Sequence, residues 1–170
     1  MKSIPRLTPI LAAFLFCASA VAAENPDVVF FRKAAQSSLS EITAAEAVQR
    51  QSDNAALKGQ AADMLRDHAA AMRTLSSLAA AKGIELPQIA SGEDDSALTA
   101  IRPLSGVAFD KAYVEWQIGA HRDAIALFKT ESTTGDDLDA RQFALATLPI
   151  LQRHLDHLLS APVESPVRTQ

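Results

Sequence analysis

Residues 57–78 read LKGQAADMLRDHAAAMRTLSSL, and their pattern of apolar side chains decides the fold. Leu57, Ala61, Met64, His68, Ala71, Leu75 and Leu78 recur at alternating spacings of four and three. At ~100° of rotation per helical residue, this spacing lines up all seven on one face, as a continuous seam. A strand would need alternation every second residue, which is absent, and alanine, the strongest helix former, fills much of the remainder. The seam carries a single polar side chain, His68, at its centre.

Working outward, the seam belongs to a helix of about 54–82. Ser52-Asp53-Asn54 is the polar break before it, with Asp53 as the expected cap, and Gly83 followed by Pro87 is the stop. An earlier helix of about 27–51 opens on Asn25-Pro26-Asp27 and carries Phe31, Ala34, Ser38, Ile42 and Ala45 on one face. After a connection spanning 83–104, in which Ser96 to Ile101 can form a short helix, Ser105 is placed to cap a third long helix of about 105–133. That helix shows a broad apolar face of Phe109, Ala112, Tyr113, Trp116, Ala120, Ala124 and Leu127. The turn Thr134-Gly135-Asp136 leads to a fourth helix of about 137–160, carrying Ala140, Phe143, Thr147, Ile150, Leu151, His154 and Leu158, with a kink expected at Pro149. Four amphipathic helices of similar length predict an all-α four-helix bundle. The long connection between helices two and three predicts the ferritin-like arrangement rather than simple up-down-up-down.

The ends of the chain read differently. Lys2 and Arg6 precede the apolar run Ile10–Cys17, and the small residues Ala20 to Ala23 precede the polar Glu24-Asn25-Pro26. This is the layout of a cleaved secretory signal peptide over 1–23, its apolar run being well short of the ~20 residues that span a bilayer. Residues 24–161 are then the helical domain, and 162–170, with two prolines, a flexible tail. The expected location is periplasmic or secreted. Cys17 is the only cysteine and follows Phe16 rather than a small residue, which argues against lipid attachment; the mature part has no thiol for a disulfide, a nucleophile or a metal. Without Lys2 and Arg6 the chain holds 14 basic and 20 acidic side chains, a net of −6 with no basic cluster. That balance excludes a nucleic-acid partner held by phosphate neutralisation.

Three of the four histidines point inward on their helical wheels: His68, His121 and His154. His157 lies towards the polar side. At a rise of ~1.5 Å per residue, His68 lies about 22 Å from the first hairpin turn, and His121 and His154 about 21 and 27 Å from the second. Glu41, about 17 Å from its turn and at the edge of the apolar face, falls near the same level. One metal-competent side chain from each helix therefore converges on one layer. Imidazoles and a carboxylate suit zinc, copper or iron. The competing reading is a buried polar network that only fixes packing, in which the histidines pair with Glu41, or with Asp110 or Gln117 on the face of His121. Asp67 lies off the seam, a surface partner for Arg66 or Lys58, and Tyr113 and Trp116 read as core aromatics. A di-iron centre needs Glu-x-x-His on two helices, but Leu65 stands three residues before His68 and Leu151 three before His154. That leans against an oxygen-activating enzyme.

Several segments together resemble a known family. Phe31-Arg32-Lys33-Ala34-Ala35-Gln36, Ser40-Glu41-Ile42, Met64-Leu65-Arg66-Asp67-His68 and Lys82-Gly83-Ile84-Glu85-Leu86-Pro87 are similar to the bacterial domain-of-unknown-function 4142 family. So are Phe109-Asp110-Lys111-Ala112-Tyr113 with His121 and Leu127-Phe128, and Leu148-Pro149-Ile150-Leu151 with His154-Leu155. The resemblance spans about 30–160. It implies an exported, ferritin-like helical domain whose recurrent polar positions fall on Glu41, Asp67, His68, Asp110, Tyr113, His121 and His154, and it implies no established activity. Members are often labelled predicted outer-membrane proteins, a label this sequence contradicts, since no run could span a membrane as a helix or as alternating strands. The functional expectation is a non-enzymatic helical protein that binds a transition metal in its core, with an envelope or stress-related role. The alternative is a structural or interaction module.

Overall fold

The computed structural model describes residues 24–161; the expected signal peptide 1–23 and tail 162–170 lie outside them. The described residues form five helices and no strand: α1 (Pro26–Gln51), α2 (Ala55–Ala81), α3 (Gly92–Ile101), α4 (Gly106–Thr134) and α5 (Leu138–Leu159). No described helix is long and apolar enough to cross a membrane.

Local chemistry sets the boundaries. The Asn25 side chain accepts from the N–H groups of Asp27 and Val28, and Pro26 starts α1 where its missing N–H costs nothing. α2 is capped by Asn54, whose side chain accepts from the Leu57 N–H, rather than by the expected Asp53. Gly83 ends it with φ +68°, so that Ile84 N–H reaches back to the Ala79 carbonyl at 2.9 Å. The short helix is longer than its apolar residues suggest, because Ser91 caps it from the Asp94 N–H and three acids fill its first turn. Ser105 stands before α4 but makes no capping bond. α5 runs through Pro149; the carbonyl that loses its donor belongs to Leu145, on the exposed side, where water can serve it.

α1 pairs with α2 and α4 with α5 as hairpins, while α1 also packs on α4 and α2 on α5. The ends fix the directions. Asp27, at the start of α1, accepts the N–H groups of Asp136 and Asp137 in the α4–α5 turn, both at 3.0 Å. Lys82, at the end of α2, pairs with Asp137 at 2.6 Å and Asp139 at 2.9 Å. α2 and α4 therefore run the same way, and residues 82–105 return along the length of the helices, with α3 lying against α1 and α4.

The apolar core falls into two clusters. One gathers Phe30, Phe31, Leu75, Phe128, Phe143 and Leu151, with Phe30 edge-on to Phe128 at 5.1 Å between ring centres. The other gathers Val48, Leu57, Met64, Phe109, Tyr113 and Leu158. The buried polar side chains of Glu41, His68, Gln117 and His121 stand between the two clusters in sequence on α1, α2 and α4, and His154 lies near the changeover on α5, between Leu151 and Leu158. On α4 the buried face runs through Phe109, Tyr113, Val114, Gln117, His121, Ala124, Ile125 and Phe128. Trp116, Ala120 and Leu127, expected on that face, stand at its margin: Trp116 and Leu127 pack partly buried against the two clusters, and all three line a cavity of about 760 Å³ beside α1 and the start of α3.

A candidate metal centre in the core

Each histidine of the layer sits at a position its helix directs inward. His68 is four residues past Met64 and seven before Leu75 on the buried stripe of α2, His121 four past Gln117 on α4, and His154 three past Leu151 on α5. All three are buried, at 5 %, 0 % and 2 % exposure. Their ring centres form a nearly equilateral triangle of 5.9, 5.6 and 5.5 Å. One ring nitrogen from each lies within 4.8 Å of the other two. His157 is exposed, as its wheel position requires.

Partners fix two of the tautomers. His121 Nδ1 is 3.0 Å from the Gln117 carbonyl, which can only accept, so Nδ1 carries the proton and Nε2 a lone pair. His154 Nε2 is 3.0 Å from Asp67 Oδ2, which by the same logic leaves the lone pair on Nδ1. His121 Nε2, His154 Nδ1 and His68 Nε2 are all buried with no partner. Burial of such atoms without a hydrogen bond is costly, and one layer holds three of them, two fixed as acceptors by their tautomers.

Electrostatics keep the rings neutral. Burial, reinforced by the neighbouring histidines and opposed by Asp67, pushes His68 down to about 3. Burial and His154 push His121 down to about 4, against the Gln117 carbonyl. His154 is lowered by burial too, while its bond to Asp67 pulls the other way. Neutral imidazole is the form that ligates.

The remaining sequence-derived residues take different places. Glu41 is central rather than at an edge, 1 % exposed, with Oε1 3.3 Å from His121 Nδ1, and is not one of the three converging groups. Burial raises its carboxyl well above the usual range, opposed by the Gln117 amide and supported by Asp94. Gln117 donates to the Tyr113 hydroxyl at 3.0 Å and approaches Met64 Sδ at 3.6 Å, one turn below the histidines. Tyr113 bonds to none of the rings. Asp110 is buried but makes no bond to a histidine: it lies eleven residues before His121, about 16 Å along the helix, so sharing a face does not bring the two together.

Asp67 is more than the surface partner expected of it. It does pair with Arg66 at 2.9 Å, but its Oδ2 also receives His154 and, at 2.8 Å, Arg153. Partial burial pushes this carboxyl up, yet the bonds from Arg66 and His154 prevail and hold it below the usual range. The sequence signal was the position directly before His68; a residue off the seam of α2 still borders the seam with α5.

A corner of the molecule escaped the sequence reading altogether. Glu131, Asp27, Asp136 and Asp137 meet where α1 starts and α4 ends. Glu131 is 4 % exposed with Oε1 unpartnered. Burial, the Asp27 charge and its hydrogen bond with Asp27, and the charges of Asp137 and Asp136 push it up to about 7. A Cβ at Gly135 would overlap the Glu131 carboxylate, so glycine makes room for this packing.

Comparison with known proteins agrees with the earlier resemblance. Residues 16–160 match the family described as domain of unknown function DUF4142. The chain belongs to that family. This DUF4142 chain is also similar in structure to a DUF305 protein of Streptomyces coelicolor, described as a candidate secreted protein. The TM-score is 0.69 at 14 % identity, covering 82 % of this chain and 93 % of the other, a likeness of fold. Comparison with curated proteins found no match to this chain. For this DUF4142 chain, then, chemistry has to be read from the side chains.

Proposed function

We propose that this protein is an exported, non-enzymatic, ferritin-like four-helix bundle that binds one transition-metal ion through His68, His121 and His154. The observation that carries the reading is the trio of buried, partnerless imidazole nitrogens on rings whose nitrogens lie within 4.8 Å of one another. A bond to a cation satisfies all three at once, whereas a purely structural network would have paired them with donors. A tetrahedral ion with nitrogens at ~2.0–2.1 Å holds them ~3.3–3.4 Å apart, so binding draws the rings together by a modest rotation. Gln117 and Asp67 orient His121 and His154 from behind, as carbonyls and carboxylates do for metal-bound imidazoles, and Glu41 backs His121 as well. All-nitrogen donors favour zinc or copper over iron, whose dinuclear sites need the carboxylates that Leu65 and Leu151 replace.

The bundle reading rests on the two hairpins, the parallel course of α2 and α4, and the return connection between them. Export rests on the sequence of residues 1–23, with the secreted description of the DUF305 neighbour in agreement.

Metal analysis of untagged protein tests the site. One zinc or copper ion per chain is expected, falling to none in His121→Ala. Zinc at about a hundred times its Kd raises stability by about 2.7 kcal/mol in the wild type only. A chain that stays metal-free and whose melting temperature ignores added zinc and copper leaves the packing-only alternative standing.

A further inference from the structure

The three histidines of the proposed ion site are buried, and one of them, His154, is tied to a surface strap across the α2–α5 seam. Asp67 and Arg66 come from α2, Arg153 from α5. The Asp67 side chain is 13 % exposed, and its two oxygens are shared among three cationic or N–H donors: Arg66 Nε on Oδ1 at 2.9 Å, and Arg153 and His154 on Oδ2 at 2.8 and 3.0 Å. His154 faces both ways. Its Nε2 meets this carboxylate while its Nδ1 is buried and free. The two guanidinium groups are about half exposed or more, so the strap can open without unfolding a helix.

We infer that this strap is the port by which a divalent cation reaches the histidine layer, with Asp67 as its landing carboxylate and Arg153 as the side chain it displaces; the inference rests on the metal reading above. A carboxylate is the hard, anionic group that attracts an incoming hydrated cation, and Asp67 is the carboxylate hydrogen-bonded to one of the three rings from the solvent side. Arg153 occupies the same oxygen that His154 uses, so its departure frees a lone pair beside the ring. The ion then passes from Asp67 to the inner nitrogens as the His154 ring turns. Arg66, held also by Asp63 at 2.6 Å, stays as the hinge side of the strap.

A port changes the path and not the end states, so opening it speeds entry and exit together. Stopped-flow mixing of metal-free protein with zinc(II), read by a zinc indicator dye, measures both directions. Arg153→Gln is expected to raise the association and dissociation rates by about tenfold each, leaving Kd unchanged. Lys129→Gln, the same charge change on exposed α4, is expected to alter neither. Asp67→Asn is expected to slow association. Normal zinc uptake with unaltered rates in Arg153→Gln, or a rate increase of equal size in Lys129→Gln, overturns the port alone. A shift in Kd without a change in association rate also overturns it, because that marks a positioning role. A wild-type protein with no saturable uptake overturns the site and the port together.

Discussion

The histidine layer and Glu131 of the acidic corner are both buried and titratable, and both are pushed towards their uncharged forms, but by opposite shifts. In the layer, burial drives His68 and His121 far below their usual range, so the neutral base persists well into acid. In the corner, burial and the surrounding carboxylates drive Glu131 up to about 7, so the neutral acid persists towards neutrality. The layer has three ring nitrogens without partners; the corner has carboxylates tied to backbone N–H groups and a lysine. The first arrangement is the one proposed to take a cation, and in the second Glu131 keeps its proton up to about pH 7.

The comparison breaks most visibly at Asp27. Its two oxygens hold the N–H groups of Asp136 and Asp137, which lose their partner in Asp27→Ala. Bonds to a charged acceptor contribute about 1.5–3 kcal/mol each, and relief of the Glu131 repulsion returns part of that. A net loss of about 3 kcal/mol in urea unfolding at pH 7 is expected. Asp27→Asn should retain about half, since one amide oxygen replaces two carboxylate oxygens.

Next in size is the acid limb set by the layer. A histidine whose folded pKa lies below its unfolded value contributes stability that is complete above about 6.5 and is lost as pH falls towards the folded pKa. With His68 at about 3, that loss amounts to about 2 kcal/mol between pH 7 and pH 5. His68→Leu should fold normally without metal and show a fall over this interval smaller by that amount, measured by denaturant titration at each pH. An unchanged slope would mean that His68 is charged in the folded protein, which would also spoil it as a ligand.

Helices and their ends were legible in the sequence because each depends on neighbours along the chain. The seam of 57–78 and the stop at Gly83 needed nothing more, whereas the cap of α2 fell one residue later than expected, on Asn54, and Ser105 makes no side-chain capping bond. The layer was legible too, since wheel angle and rise locate a side chain to within about a turn. What one wheel cannot supply is the azimuth of a neighbouring helix. Asp67 was assigned to the surface because the contact with His154 crosses from α2 to α5. Glu41 was read as one of four ligands, yet it stands behind His121, a distinction of a few ångströms. The broad apolar face of α4 left its true inward direction open, and Trp116 turned out to face the cavity beside α1. Asp27 and Glu131 are 104 positions apart in the sequence and look like a first-turn acid and a surface glutamate until the return connection brings the hairpins together.

Glu131→Gln sharpens the comparison from the other side. An acid whose folded pKa is raised binds its proton more tightly in the folded state, so stability is full below about 4.5 and declines as pH rises towards 7, then levels off. Glutamine keeps the shape and hydrogen-bonding reach of the protonated acid but cannot ionise. The variant should match the wild type near pH 4 and exceed it at pH 8. A shift from 4.5 to about 7 sets an upper limit; with the turn open to water, which screens part of the charge, the expected gain is about 1–2 kcal/mol. Since the histidines lose stability in the acid direction and Glu131 in the alkaline one, the two partly cancel between pH 4.5 and 6.5 in the wild type. Removing either should tilt the curve, His68→Leu downwards with rising pH and Glu131→Gln upwards. Tilts of the same sign would show that one of the two clusters carries its charge in the folded protein.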